Sequence, residues 1–263
     1  MIKYQLAKNE KQFKKVSPDH ERFIMNYFER KIFPKYKHYE EFIHFTNYLK
    51  KREYTYHPHF LRYVNTFGRI LEVSTDLGIV LKNKVIVETG TPSIILEYLF
   101  IMGNECYFTE SDLRIKIDAP SQFADIVLSL EVIEHLKDQP EKSFEDLVNF
   151  NFSGVKSYIN ECARILKPDG LLFLTTPNPC SFKALDNIIN YKEPLIYNLH
   201  IREYSKTTII ELTKNLMSCI FYDTMFNFFI TLEEKYIQIF DNLNWPKDYR
   251  GDDQFFVFKK LCL

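Results

Sequence analysis

The sequence predicts an α/β protein built on a doubly wound, largely parallel sheet. Three observations carry that expectation. Short apolar runs such as Val85-Ile86-Val87 and Ile126-Val127-Leu128 read as buried strands, and are too short for buried helices. Segments of helical periodicity alternate with them, giving six or seven strands and a strand–helix–strand ending. One strand, within residues 124–136 (ADIVLSLEVIEHL), runs straight into Glu131, Glu134 and His135. Open α/β sheets bind ligands outside the carboxyl ends of their strands. Ionisable groups there form an acid–base set or part of a metal site. The solvated first turn of a helix accounts for them equally well.

Composition bounds the problem. With 263 residues, 46% of them hydrophobic, the chain is one large domain or one domain with an extension. No apolar run approaches the ~18–20 residues needed to cross a membrane, and the first fifteen residues lack the apolar region of a secretory leader. Cys106, Cys162, Cys180, Cys219 and Cys262 are scattered, which fits reduced thiols and a cytoplasmic location. The net charge of −1 is uneven: residues 1–52 carry +7, leaving −8 on the rest. A basic region of that kind attracts an anionic partner, or is an ordinary solvated helix surface.

In order, residues 17–80 are mostly helical in pattern. Ser17-Pro18-Asp19 is a helix start, a capping serine followed by proline in the first turn. Phe23, Ile24, Tyr27 and Phe28 follow at helical spacing, and Pro34 is expected to break the pattern. A second helix is expected over 36–51, with Phe42, Ile43, Phe45 and Leu49 inward. A third follows Pro58 and runs through Phe60, Tyr63, Val64, Phe67, Ile70 and Leu71. His57 and His59 flank Pro58 in a turn, where isolated histidines are usually structural.

The first clear strand, Val85-Ile86-Val87, leads into Glu88-Thr89-Gly90-Thr91-Pro92-Ser93, and 94–100 is helical. Strand, glycine turn and helix form the arrangement that holds a nucleotide-like cofactor, although many such turns contain a glycine. The next strand, 106–109, ends at Glu110, 22 residues beyond Glu88. An acid in that place accepts hydrogen bonds from ribose hydroxyls. The short interval before Asp125 leaves little room for a full helix and strand, so Asp118-Ala119-Pro120 fits the stub of a reduced unit. Residues 137–152 read as a loop or short helix, and 154–166 as a helix stopped by Lys167-Pro168-Asp169-Gly170. A strand over 171–174 then leads to Thr175-Thr176-Pro177-Asn178. A long connection over 179–205 contains His200, Arg202, Glu203 and Tyr204. A helix over 206–218, strands at 220–229 and 254–259, and a helix near 232–243 complete the pattern.

The ordered segments VIVETGTPS, FTES, ADIVLSLEVIEHL, ECARILKPDGLLFLTTPNP, LHIREYS and GDDQFFVFKK resemble those of class I S-adenosylmethionine-dependent methyltransferases. The likeness covers residues from about 80 to 261 and is nearest to ubiquinone-type and bacterial small-molecule and glycan O-methyltransferases. It implies a Rossmann-like, doubly wound seven-stranded sheet over 81–263; residues 1–80 lie outside it apart from the helix leading into the first strand, and their pattern is expected to form a helical extension or lid. It also implies S-adenosylmethionine as cofactor, held at Glu88, Gly90, Thr91, Glu110, Ser111, Leu130 and Asp118. The cofactor loop departs from the family pattern, with Pro92 and Ile94 where further glycines are usual. Pro92 removes a backbone N–H and fixes φ, so reduced cofactor affinity or a different loop path is expected.

In one branch the resemblance extends to an ExxEH motif and a later histidine that together hold a divalent ion. The matching residues are Glu131, Glu134, His135 and His200. Spacings of three and four would place the first three on one face of a helical turn, and the donor set suits Mg²⁺, Mn²⁺ or Fe²⁺. Without an ion, His135 or His200 is the candidate base, beside Glu134. The expected function is O-methylation of a small, hydroxyl-bearing, anionic acceptor: a sugar, or a phosphorylated or nucleotide-activated glycan precursor. Methylation of an RNA 2′-hydroxyl is an alternative motivated by the metal motif and the basic first 52 residues, but the catalytic part is acidic and no arginine-rich or aromatic-interleaved segment accompanies it, so nucleic acid is not the expected partner. An inactive partner subunit is the third reading, prompted by Pro92 and the shortened middle.

Overall fold

A computed structural model describes residues 1–5, 17–139, 152–197 and 199–262. Among these residues seven strands form one sheet: β1 (Ile2–Lys3), β2 (Val85–Thr89), β3 (Glu105–Thr109), β4 (Ala124–Leu130), β5 (Leu166–Pro177), β6 (Met217–Met225) and β7 (Asp253–Lys260). Their order is β1-β3-β2-β4-β5-β7-β6. β3, β2, β4 and β5 are mutually parallel, β7 runs antiparallel between β5 and β6, and β1 adds a short antiparallel edge. The chain steps outward from β2 to β3, then returns across β2 to β4. That reversal makes a switch point between the carboxyl ends of β2 and β4, where a crevice opens in sheets of this type.

Alternation along the strands divides the core into two layers. Ile86, Leu128, Phe173, Phe255 and Val257 face one side, packed with Phe42, Phe45, Phe60 and Phe67. Phe42 and Phe45 come from helix α3 (Glu40–Lys51) and Phe60 and Phe67 from α4 (Phe60–Asp76), while α1 (Pro18–Tyr27), α2 (Phe33–Tyr36) and α5 (Ile94–Ile101) add Ile24, Tyr36 and Ile95 to the same layer. Val87, Val127, Leu172, Phe256 and Phe258 face the other side, against α6 (Ser153–Ile165) and α8 (Lys206–Thr213). α7 (Phe182–Ile189) and α9 (Ile230–Leu243) share a small third cluster of Phe182, Tyr236 and Phe240. The helices before residue 80 therefore share a core with the sheet. Each fully buried phenylalanine there contributes roughly 1.5–3 kcal/mol.

Serines start four of the helices. Ser17, Ser93, Ser181 and Ser205 each accept a backbone N–H from the first turn that follows, and Pro18 stands at the first position of α1. Several boundaries differ from the sequence reading. Pro34 does not end the first helix. A π-helical stretch, Phe28–Ile32, leads into α2, where the proline occupies a first-turn position needing no N–H. The second helix begins at Glu40 rather than 36. Lys167-Pro168-Asp169-Gly170 loops out of β5 as a bulge, with Leu166 opposite Ala124 and Leu171 opposite Ile126. The helix expected over 206–218 stops at Thr213, and β6 starts at Met217. The connection expected over 179–205 contains α7. Most of the loop or short helix expected over 137–152 lies outside the described residues.

Candidate functional site

A cavity of about 840 Å³ occupies the switch point, within the size range of small-molecule sites. Its walls come from the turn after β2, the motif after β4, the start of α4, the connection before α8 and the start of β7.

After β2, Glu88 is buried, and its Oε2 accepts the Ser93 N–H at 2.8 Å. The carboxylate thus closes the turn around Gly90 and braces the first turn of α5. Burial pushes its pKa up to about 7. Gly90 has φ +88°, and a Cβ there would meet only a Val132 methyl at 3.8 Å. The glycine supplies a left-handed backbone and an open face toward the cavity. Gly90 also bridges to Thr109, so the end of β3 lies beside this turn.

After β4, the backbone turns sharply at Glu131, whose φ is +57°. A single 3₁₀ turn, Ile133–His135, follows. Glu134 is fully buried. Its Oε2 accepts the Thr176 hydroxyl at 2.9 Å, and its Oε1 makes no hydrogen bond among the described residues. Burial, then the Glu131 charge, raises its pKa well above the usual carboxylate range. His135 is half exposed, with Nε2 3.8 Å from Glu134. Burial and the neighbouring His200 ring lower its pKa. The two imidazole rings lie 5.0 Å apart at 79°. Ligand atoms of Glu134, His135 and His200 fall within 4.8 Å of one another.

The opposite wall carries Arg62 of α4, with its guanidinium 5.7 Å from the Tyr63 ring and 5.8 Å from that of Phe228. Glu131 reaches toward it at 3.7 Å. Asp253, at the start of β7, is buried. Its Oδ2 accepts from Asn227 at 2.6 Å, and its Oδ1 is unpaired among the described residues. Burial and the Glu131 charge hold its pKa well above normal. Burial also lowers His57 to about 4 and His59 to about 3, so both rings are neutral near pH 7.

A family model described as "Methyltransferase domain" matches residues 42–216. The chain belongs to this methyltransferase family. A probable S-adenosylmethionine-dependent methyltransferase of Mycolicibacterium smegmatis is 28% identical over 98 residues, 37% of this chain and 29% of that protein. A second, from Mycobacterium tuberculosis, is 33% identical over 67 residues, 26% of this chain and 19% of that one. The matched segment spans less than a third of either relative. Among solved structures, an Archaeoglobus fulgidus SAM dependent methyltransferase aligns with a TM-score of 0.46 at 13% identity, over 72% of this chain and 92% of that one. N-methyltransferase NodS from Bradyrhizobium japonicum, in complex with S-adenosyl-L-homocysteine, aligns at 0.44 and 11% identity, over 73% and 84%.

Within this methyltransferase fold, the residues singled out by sequence fall into three groups. Glu88, Gly90, Thr91, Leu130, Glu131, Glu134, His135 and His200 all line the cavity. Glu110 and Ser111 stand just outside its lining at the end of β3, Glu110 exposed and the Ser111 hydroxyl 2.6 Å from that of Thr109. Asp118 is exposed and paired at 2.6 Å with the Met1 ammonium, away from the cavity. Glu131 does not share a helical face with Glu134 and His135. Its left-handed backbone separates it from the 3₁₀ turn, and its side chain goes to Arg62. Sequence reasoning missed Arg62 and Asp253. Arg62 was one basic residue among many on a helical pattern. Asp253 was hidden in the GDDQFF segment, though an acid opening an apolar strand was a usable signal.

Proposed function

We propose that this chain transfers a methyl group from S-adenosylmethionine to a hydroxyl oxygen of a small acceptor. One observation carries the reading: the Gly90 turn and the Glu134–His135–His200 cluster wall the same cavity at the switch point. The sulfonium methyl is already electrophilic, so the protein's tasks are alignment and removal of one proton. Gly90 lets the backbone approach the cofactor, and Glu110, beside it at the end of β3, is placed to accept from its ribose. Arg62 with Glu131 and Asp253 complements the charged amino-acid end. His200 or His135 takes the hydroxyl proton as the oxygen attacks. The buried Glu134 Oε1, without a hydrogen bond among the described residues, and the close spacing of the three side chains fit a divalent ion. Held by Glu134, His135 and His200, an ion would bind the acceptor oxygen and lower its pKa. Residues 1–80 would act as the helical cover of the acceptor side, with α4 forming one wall, and 81–263 would carry the transfer. An anionic sugar or glycan precursor in the cytoplasm remains the acceptor class this reading favours, on the charge of residues 1–52.

Calorimetric titration with S-adenosylhomocysteine, with and without Mn²⁺, tests this. Binding is expected without metal, and Glu110→Ala is expected to weaken it by roughly 1–3 kcal/mol, the scale of hydrogen bonds to a charged group. Chelator should stop methyl transfer and leave that binding intact. Absence of binding by the folded protein would sink the enzyme reading.

A further inference from the structure

Glu203 is not among the cavity's lining residues, yet one of its carboxylate oxygens gathers three groups of the connection that carries His200. Its carboxylate is 1% exposed. The Oε1 atom accepts the Ile196 N–H at 2.7 Å and the Tyr197 N–H at 3.3 Å, and lies 2.7 Å from His200 Nδ1. The same connection is tied to the central motif, because the Ile201 and Arg202 N–H groups both point to the Glu134 carbonyl, at 3.0 and 3.4 Å. Ile196, Tyr197 and His200 all line the cavity.

We infer that Glu203 is a positioning residue that holds His200 in the Nδ1–H tautomer and presents its Nε2 lone pair to the cavity. An ionised carboxylate only accepts hydrogen bonds, and two backbone donors already converge on Oε1. The His200 nitrogen facing that atom must therefore carry the proton. In a neutral imidazole the other nitrogen is then the acceptor. A carboxylate behind an imidazole also fixes the ring plane. His135 differs: it is half exposed, and its neighbouring carboxylate approaches Nε2 only at 3.8 Å. Of the two histidines, His200 is the one preset to receive a proton or a metal ion. The inference rests on the function proposed above only for what Nε2 does. The tautomer and its cause stand on this geometry alone.

The test is ¹⁵N NMR of the imidazoles in the whole, metal-free protein, with no methyl donor or acceptor, in alkaline buffer where the rings are neutral. His200→Gln identifies the His200 signals among the seven histidines. Wild type is expected to show a protonated Nδ1 and a bare Nε2 at His200. Glu203→Ala should shift that ring to a majority Nε2–H form with the other six unchanged. Glu203→Gln, which keeps the side-chain volume if the alanine variant does not fold, should give a mixture. A wild-type Nε2–H ring, or an unshifted ring in the folded variants, would overturn the inference. Because the spectra need no turnover, failure of the methyl-transfer reading leaves this result standing, and the reverse also holds.

Discussion

At the scale of single residues, the site is a set of carboxyls moved off their ordinary values by burial. Glu88 is the clearest case. Its pKa in the folded chain, about 7, lies above its ordinary 4.5. Its contribution to stability is therefore complete below the unfolded value and is lost as pH rises through the folded one. Asp252, raised to about 6, acts in the same direction. His57 and His59, lowered on folding, act in the opposite direction, so the Glu88 share of up to about 3 kcal/mol is read as the difference in denaturant stability between wild type and a Glu88 variant, lost between about pH 4.5 and 7. Glu88→Gln should remove that share, since its amide oxygen can still accept from Ser93. An equal pH slope in the variant would refute the assignment. The residue types at the ends of β2 and β4 were legible from sequence. Their burial was not, because it depends on what α4 and β7 place above them.

At the scale of elements, the strand and turn patterns were easier to read than the joints between helices. Short continuous apolar runs located β2, β4 and β7 to within a residue or two, because each is buried on both faces and bounded by polar residues. The π-helical stretch before α2 had no such marker. Its Phe28 ring packs 5.5 Å from Phe60 of α4, and the following α2 sets the Tyr36 ring over Gly68 of α4. One joint rests on a single carboxylate. Glu97 of α5 accepts from Tyr4 at 2.7 Å and from Tyr48 of α3, and Arg52 stands at 3.3 Å. Glu97→Ala should cost roughly 3 kcal/mol, the scale for breaking a buried charged set. A melting or denaturation midpoint equal to wild type would show that these groups find other partners or water.

At the scale of the molecule, charge is divided between the basic first 52 residues and an acidic remainder. The cavity continues that division, with Glu88, Glu131, Glu134 and Asp253 on its walls and Arg62 as the guanidinium among its described lining residues. An anionic acceptor, the class proposed above, would then draw on the positive charge of residues 1–52 through long-range steering. The second-order rate of methyl transfer is expected to fall as salt rises from low to physiological strength. A flat response with an anionic acceptor would reduce the N-terminal charge to ordinary solvation. Among the described residues no helix is long and apolar enough to cross a membrane.

The sequence by itself determined the α/β class, the run of strands, the glycine turn after Glu88 and the position of EVIEHL at a strand end. All of these follow from local periodicity and from residues whose backbone preferences act over a few positions. Tertiary structure alone decided which of those groups meet. It turned Glu131 to Arg62 rather than to Glu134 and brought Asp253 across from the last strand. Those pairings depend on strand order and on a left-handed turn at one glutamate, and no local spacing encodes either.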